Sequence, residues 1–131
     1  MLAFSTTISH ELSHHWFGNL VTMKWWDDLW LNESFATFIS YFCLEEIKGD
    51  LETIKYESSM SAFFQRKGRG YHQDQMVTTH PIRSEVINTS VADSMFDGIT
   101  YSKGAGTMKQ FFYLIGAGQF SKAISQYFKK Y

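Results

Sequence analysis

The sequence has one cysteine and one proline in 131 residues, and no apolar run long enough to span a bilayer. A single thiol, Cys43, permits no internal disulfide. Its apolar surroundings predict that it fills a helical core. No stretch approaches the roughly 18 consecutive apolar residues of a membrane-crossing helix. A strong charge of either sign is also missing. The formal net charge is −1, so nothing pulls the chain toward nucleic acid or acidic membranes. Internal repeats and low-complexity segments are absent. The first eight residues lack the basic start and long apolar middle of a secretory leader. A cytoplasmic setting is favoured, although targeting signals of a parent protein would lie outside this chain.

What the sequence does contain is apolar and aromatic. Apolar residues make up 44% and aromatic residues 18%, enough for one domain with a thickly packed helical body. The chain is organised around His10 to Glu33, which opens with His10-Glu11-Leu12-Ser13-His14. On a helix, residues four apart differ by about 40° around the axis. His10 and His14 would therefore point the same way and close on one ion. Imidazole nitrogen suits zinc, which prefers four ligands in a tetrahedron. Glu11, one step round, would sit beside the ion and serve as a general base. Glu33, on the next expected helix, would supply the third ligand and leave a fourth position open.

The periodicity predicts a mostly α chain with five or six helices. Phe4, Ile8 and Leu12 form a stripe opposite the histidines, which predicts that this face packs. Gly18-Asn19 is the expected helix stop. Asp27 or Asp28 would cap a helix over Leu31 to Lys48. That helix is apolar on more than one side and is expected to be central. Gly49 would end it, and Asp50 would cap a third helix from Leu51 to about Lys67. Its anchors would be Ile54, Met60, Phe63 and Phe64. The basic cluster Arg66-Lys67-Gly68-Arg69 reads as a solvated turn, followed by irregular chain to Ser90. A short helical turn is expected at Val91 to Phe96. The next helix, from Thr100 to about Gly116, would turn Tyr101, Gly104, Met108, Phe111, Phe112 and Ile115 to one face. Gly104 would admit a close backbone. A last helix, Gln119 to Tyr131, would bury Phe120, Ile124, Tyr127 and Phe128.

The run from His10 to Phe38, with eighteen residues between the second histidine and Glu33 and with Glu33 inside Trp30-Leu31-Asn32-Glu33-Ser34-Phe35-Ala36, resembles the zinc aminopeptidases of the aminopeptidase N type. The resemblance continues at Phe96 to Ala105, FDGITYSKGA, and at His80-Pro81. It implies the helical part of a thermolysin-like zinc metallopeptidase catalytic domain, covered in part by residues 1–131. It also implies one Zn2+ on His10, His14 and Glu33, with Glu11 and Tyr101 as the catalytic residues. Peptides with a free N-terminus would be the substrates, and the rest of the parent polypeptide the partner. Two positions depart from the family pattern: His15 stands where glutamine is usual, and Ser34 where glycine is usual. The family's Gly-x-Met-Glu-Asn motif, which holds the substrate's free amine, is not in this chain.

Two rival readings remain open at this level. One is a zinc endopeptidase or specialised hydrolase on the same scaffold. The other is a helical zinc-binding fragment without turnover, because the isolated chain is expected to be weakly active or inactive. His15 is expected on a pocket wall or in the core, and His72 and His80 are expected to be structural or solvent-facing. Trp25 and Trp26 are expected to pack, and Thr37, one turn beyond Glu33, to support the site.

Overall fold

The computed structural model describes residues 2–47 and 59–131. Its helices are α1 (Leu2–Ser13), α2 (Leu29–Ile47), α3 (Ser59–Asp74), α4 (Thr89–Ser94), α5 (Gly104–Ile115) and α6 (Ala117–Lys130). A 3-10 turn, Trp26–Asp28, precedes α2, and a π-helical turn, Ile99–Lys103, runs straight into α5. Among the described residues the one strand-like pairing is an isolated bridge between Phe17 and Val21. The mostly α expectation holds. Gly49, Asp50, Leu51 and Ile54 lie outside the described residues.

The central helix is α2, as its all-round apolar pattern requires. It packs against α1, α3, α5 and the π turn. Phe38 is 1% exposed at its midpoint. Around it gather Phe35, Tyr41, Phe63, Met108, Phe112 and Phe120. The Phe17–Phe35 ring pair (4.3 Å between centroids) ties the turn after α1 to α2, and Phe112–Phe120 (5.2 Å) ties α5 to α6.

On α1 the expectation reverses. Phe4, Ile8 and Leu12 are 69%, 45% and 53% exposed. The side that packs carries Thr6, Ser13 and His10, because α2 presents Glu33, Thr37 and Ser40 there and these buried polar groups need polar neighbours. Thr6 and Ser13 donate their hydroxyls to the carbonyls of Leu2 and Ser9, four residues back, so neither is left unpaired. Cys43 is likewise exposed rather than core. Phe64 and Phe111 are also exposed, at 69% and 46%, and Tyr127 stands at 36%.

The third helix runs on to Asp74 and takes in the basic cluster expected as a turn. Gly68 and Gly70 weaken helix propensity and hide this from the sequence. Gly70 is there for contact: a Cβ on it would lie 2.7 Å from the Lys103 nitrogen and 2.8 Å from the Gly98 carbonyl. So α3 touches the backbone of the π turn directly. Asp27 and Asp28 also serve elsewhere than expected. Asp27 accepts the Val86 N–H (2.7 Å) and Asp28 accepts from the Arg83 guanidinium (3.0 Å), tying the loop after α3 to the start of α2. That loop carries Pro81 and is irregular, as expected.

Candidate metal centre

His10 lies in the last turn of α1, and His14 lies one residue past the helix end, where its N–H still donates to the His10 carbonyl. The four-residue spacing therefore survives although the regular helix stops at Ser13. Gly18 is not the helix stop. Its φ of +130° places it in the following turn, where a Cβ would lie 2.6 Å from the Asn32 side-chain oxygen. A glycine there leaves room for Asn32, and Asn32 matters to the site.

The ligand atoms converge. Nε2 of His10 is 3.1 Å from Oε2 of Glu33 and 3.1 Å from Nε2 of His14, and Nε2 of His14 is 3.6 Å from the same carboxylate oxygen. Each residue offers one atom, and all three atoms lie within 4.8 Å of one another. Zinc–ligand bonds of about 2.0–2.1 Å in a tetrahedron separate the ligand atoms by about 3.3 Å. Two imidazole nitrogens and one carboxylate oxygen at these spacings fit one zinc ion.

Neighbours orient each ligand. Nδ1–H of His14 donates to the Phe17 carbonyl (2.9 Å) and to Oδ1 of Asn32 (3.1 Å), which leaves Nε2 for the site. The Asn32 amide in turn donates to the second oxygen of Glu33 (3.0 Å). Asn32 thus links two ligands, a role with no signal in spacing or periodicity. Thr37, expected as a support, has its hydroxyl 3.5 Å from Nδ1 of His10.

The electrostatics follow from this crowding. The hydrogen bond with Glu33 raises the His14 pKa to about 9, against the opposing effect of burial. Burial works to raise the Glu33 carboxyl, but the hydrogen bonds from His10 and His14 outweigh it and bring it down to about 2. Burial, and then the charge of Glu33, push the Tyr101 phenol upward, so it stays protonated and able to donate.

His10 opens on a cleft of about 340 Å³ whose lining also includes Glu11, Thr37, Tyr41, Arg66 and Tyr101. Glu11 is exposed and stands outside the ligand cluster. Tyr101 is half-buried, and its ring stacks on His10 at 5.9 Å with 25° between planes. The Arg66 guanidinium also lies over that ring, 5.9 Å from its centroid. Sequence reasoning missed Arg66 because it placed the residue in a turn. The remaining histidines are elsewhere. His15 and His72 are exposed, and His80 bonds Asp97 at 2.8 Å. Trp26 packs as expected, meeting Phe96 edge-on, but Trp25 is 47% exposed and is held instead by its indole N–H, which donates to the Val86 carbonyl.

The π turn that carries Tyr101 is held at its start by Asp97. Its Oδ1 accepts the N–H groups of Ile99 and Thr100, both at 3.0 Å. Its Oδ2 accepts from Gln73 (2.7 Å) and pairs with His80 (2.8 Å).

Comparison with known proteins adds the following. A family model described as the peptidase family M1 domain matches residues 1–131. An aminopeptidase N from Streptomyces lividans is 44% identical over 128 residues, which are 97% of this chain and 14% of that protein. A leucyl aminopeptidase from Saccharolobus solfataricus is 40% identical over 124 residues, 95% of this chain and 15% of the other. The chain therefore spans only 14% and 15% of the length of these curated relatives. A crystal structure of an M1 zinc metallopeptidase mutant from Deinococcus radiodurans, bound to a Tyr-Ser-Ala substrate, superposes with a TM-score of 0.69. It is 24% identical and covers 95% of this chain and 25% of that one, and this likeness speaks to the fold.

Proposed function

We propose, from the premise that this chain belongs to peptidase family M1, that it is the metal-bearing part of a zinc aminopeptidase, which removes N-terminal residues from peptides. One observation carries the proposal: His10, His14 and Glu33 converge at zinc-ligand spacing, and His10 lines a cleft together with Glu11 and Tyr101. Zinc held there supplies Lewis acidity, lowering the pKa of water and drawing charge from a carbonyl oxygen.

This chain's residues do the rest. Glu11 takes a proton from the water that attacks the scissile carbonyl carbon, and returns it to the nitrogen as the C–N bond breaks. Its exposure on the cleft and its separation from the ligand cluster support that role. Tyr101 keeps its proton and donates a hydrogen bond to the carbonyl oxygen as negative charge gathers there. Asn32 and Thr37 hold the imidazoles and the carboxylate in place.

Preference for a free N-terminus is the family's habit, and the Gly-x-Met-Glu-Asn motif tied to it is not in these 131 residues. The exposed stripe Phe4, Ile8 and Leu12 favours a chain that binds metal yet turns over poorly alone. Metal analysis of Glu33→Ala tests the ligand set. Zinc affinity should fall by more than the roughly 10–100-fold that outer-shell partners carry. Undiminished zinc would remove Glu33 from the site. Hydrolysis of N-terminally blocked peptides by the full-length polypeptide would favour an endopeptidase instead.

A further inference from the structure

We propose that Ser34 is a positioning residue for Tyr101. It is the residue next to the ligand Glu33, and the sequence already set it apart as a serine where glycine is usual in the family. This rests on the reading of Tyr101 given above.

The Ser34 hydroxyl donates to the Thr100 carbonyl at 2.6 Å, across 66 positions of sequence. Ser34 is wholly buried and Thr100 is 2% exposed, so water does not compete for this bond. The Thr100 carbonyl belongs to the peptide unit whose nitrogen is that of Tyr101. The same peptide's N–H donates to the Asp97 carbonyl at 3.0 Å. The unit is therefore held on both sides, by α2 through Ser34 and by the start of the π turn through Asp97. Gly104 completes the fit. A Cβ built there would overlap the Ser34 hydroxyl and lie 2.9 Å from the Ser34 Cβ, so only glycine lets the two meet.

The arrangement links the two halves of the site through one dipeptide. Glu33 faces the imidazoles while Ser34, one residue on, grips the segment that aims the phenol. The phenol oxygen sits at the far end of a rigid ring. A small rotation of the 100–101 peptide becomes a larger displacement where the hydrogen bond to the reacting oxygen must form. Such misplacement affects turnover steeply.

The test is a double-mutant cycle in the full-length polypeptide, with Ser34→Ala and Tyr101→Phe made singly and together. Ser34→Ala should lower kcat about tenfold and leave KM and zinc content unchanged. In the Tyr101→Phe background the same change should lower kcat no further, because Ser34 acts through the phenol. A second readout needs no metal and no turnover. With 3-fluorotyrosine incorporated, the resonance of position 101, assigned by its loss in Tyr101→Phe, should be single with Ser34 and split or broadened in Ser34→Ala. If Ser34→Ala does not fold, Ser34→Gly makes the same deletion and should give the same pattern. An equal tenfold fall in both backgrounds, or an unchanged fluorine resonance, would overturn the proposal. If Tyr101→Phe alone leaves kcat intact, the role of Tyr101 itself is wrong, and the fluorine spectrum still decides whether Ser34 holds the ring.

Discussion

The ligand trio and the tyrosine turn meet at one cleft but are built by opposite means. His10 and His14 owe their alignment to four-residue spacing within a few turns of chain, and the supports of His14 come from Phe17 and Asn32. Tyr101 stands in a five-residue π turn held by groups from three other parts of the chain: Gln73 on α3, His80 on the loop, and Ser34 on α2. A local device is set by its own residues and fails one ligand at a time. A device assembled over long range fails through its supports, even when its own side chain is unaltered. π turns of this kind are often found at functional sites.

Mutations at the two places should therefore separate metal loss from turnover loss. The largest effect is expected from Glu11→Gln, which keeps size and polarity but cannot take a proton. Peptidase kcat should fall by about 10²–10⁴-fold with zinc retained. A near-normal rate at full zinc would remove Glu11 from the mechanism. Tyr101→Phe should follow, with a fall of roughly 10²–10³-fold in kcat and little change in KM, zinc or Tm. Lower stability with kcat untouched would make Tyr101 a packing residue. Asn32→Ala belongs to the other side of the comparison. Zinc affinity should drop roughly 10–100-fold, while kcat per bound zinc holds. If kcat dropped and affinity did not, the two devices would not be separable as drawn.

The smallest effect is graded by pH. Glu33 holds the His14 pKa at about 9, above the ordinary 6.5, so the metal-free protein keeps a proton that zinc must displace. Zinc affinity should fall up to about tenfold for each unit of pH below 9. The stability sign runs the other way without metal. A raised histidine pKa contributes stability fully present below 6.5 and lost as pH rises through about 9. The lowered Glu33 pKa contributes stability present above 4.5 and lost as pH falls through about 2. The Tm of metal-free protein should therefore decline between pH 6.5 and 9, and zinc should reverse the decline. A flat profile in chelator would show that His14 and Glu33 do not share the proton.

What the sequence revealed follows the same division. The pairing of His10 with His14 was legible because helical spacing is a local rule, whereas Glu33, on another helix, was reached through its place on the next expected helix and through the resemblance. The central place of α2 was legible because an apolar pattern on all sides admits no other. Tyr101 was singled out as catalytic through the resemblance alone, since its spacing from Gly104 and Met108 fits an ordinary packed face equally well. Asn32 and Asp97 left no periodic mark, because their partners sit 18 and 24 residues away in the chain. The α3 extension was hidden by Gly68 and Gly70, whose low propensity reads as a break until the contact of Gly70 with the π turn is known. On α1, hydrophobic pattern identified a stripe but not the direction it faces. Polar neighbours on α2 decided that.

The meeting of Ser34 and Gly104 also constrains the routes by which this sequence can change over time. Gly104→Ala taken first places a methyl on the Ser34 hydroxyl and should cost about 1–3 kcal/mol through overpacking. Taken after Ser34→Gly, the same step meets neither the hydroxyl nor its Cβ, and the nearest remaining neighbour is Ile82 at 3.0 Å. The second substitution is thus harmful or tolerable according to what came before it. In a lineage the serine acts as a latch on position 104. As long as it is kept, a glycine seventy residues away is kept with it. Once it is lost, the hold on Tyr101 goes first, and the freedom to fill position 104 makes the return to serine the forbidden step.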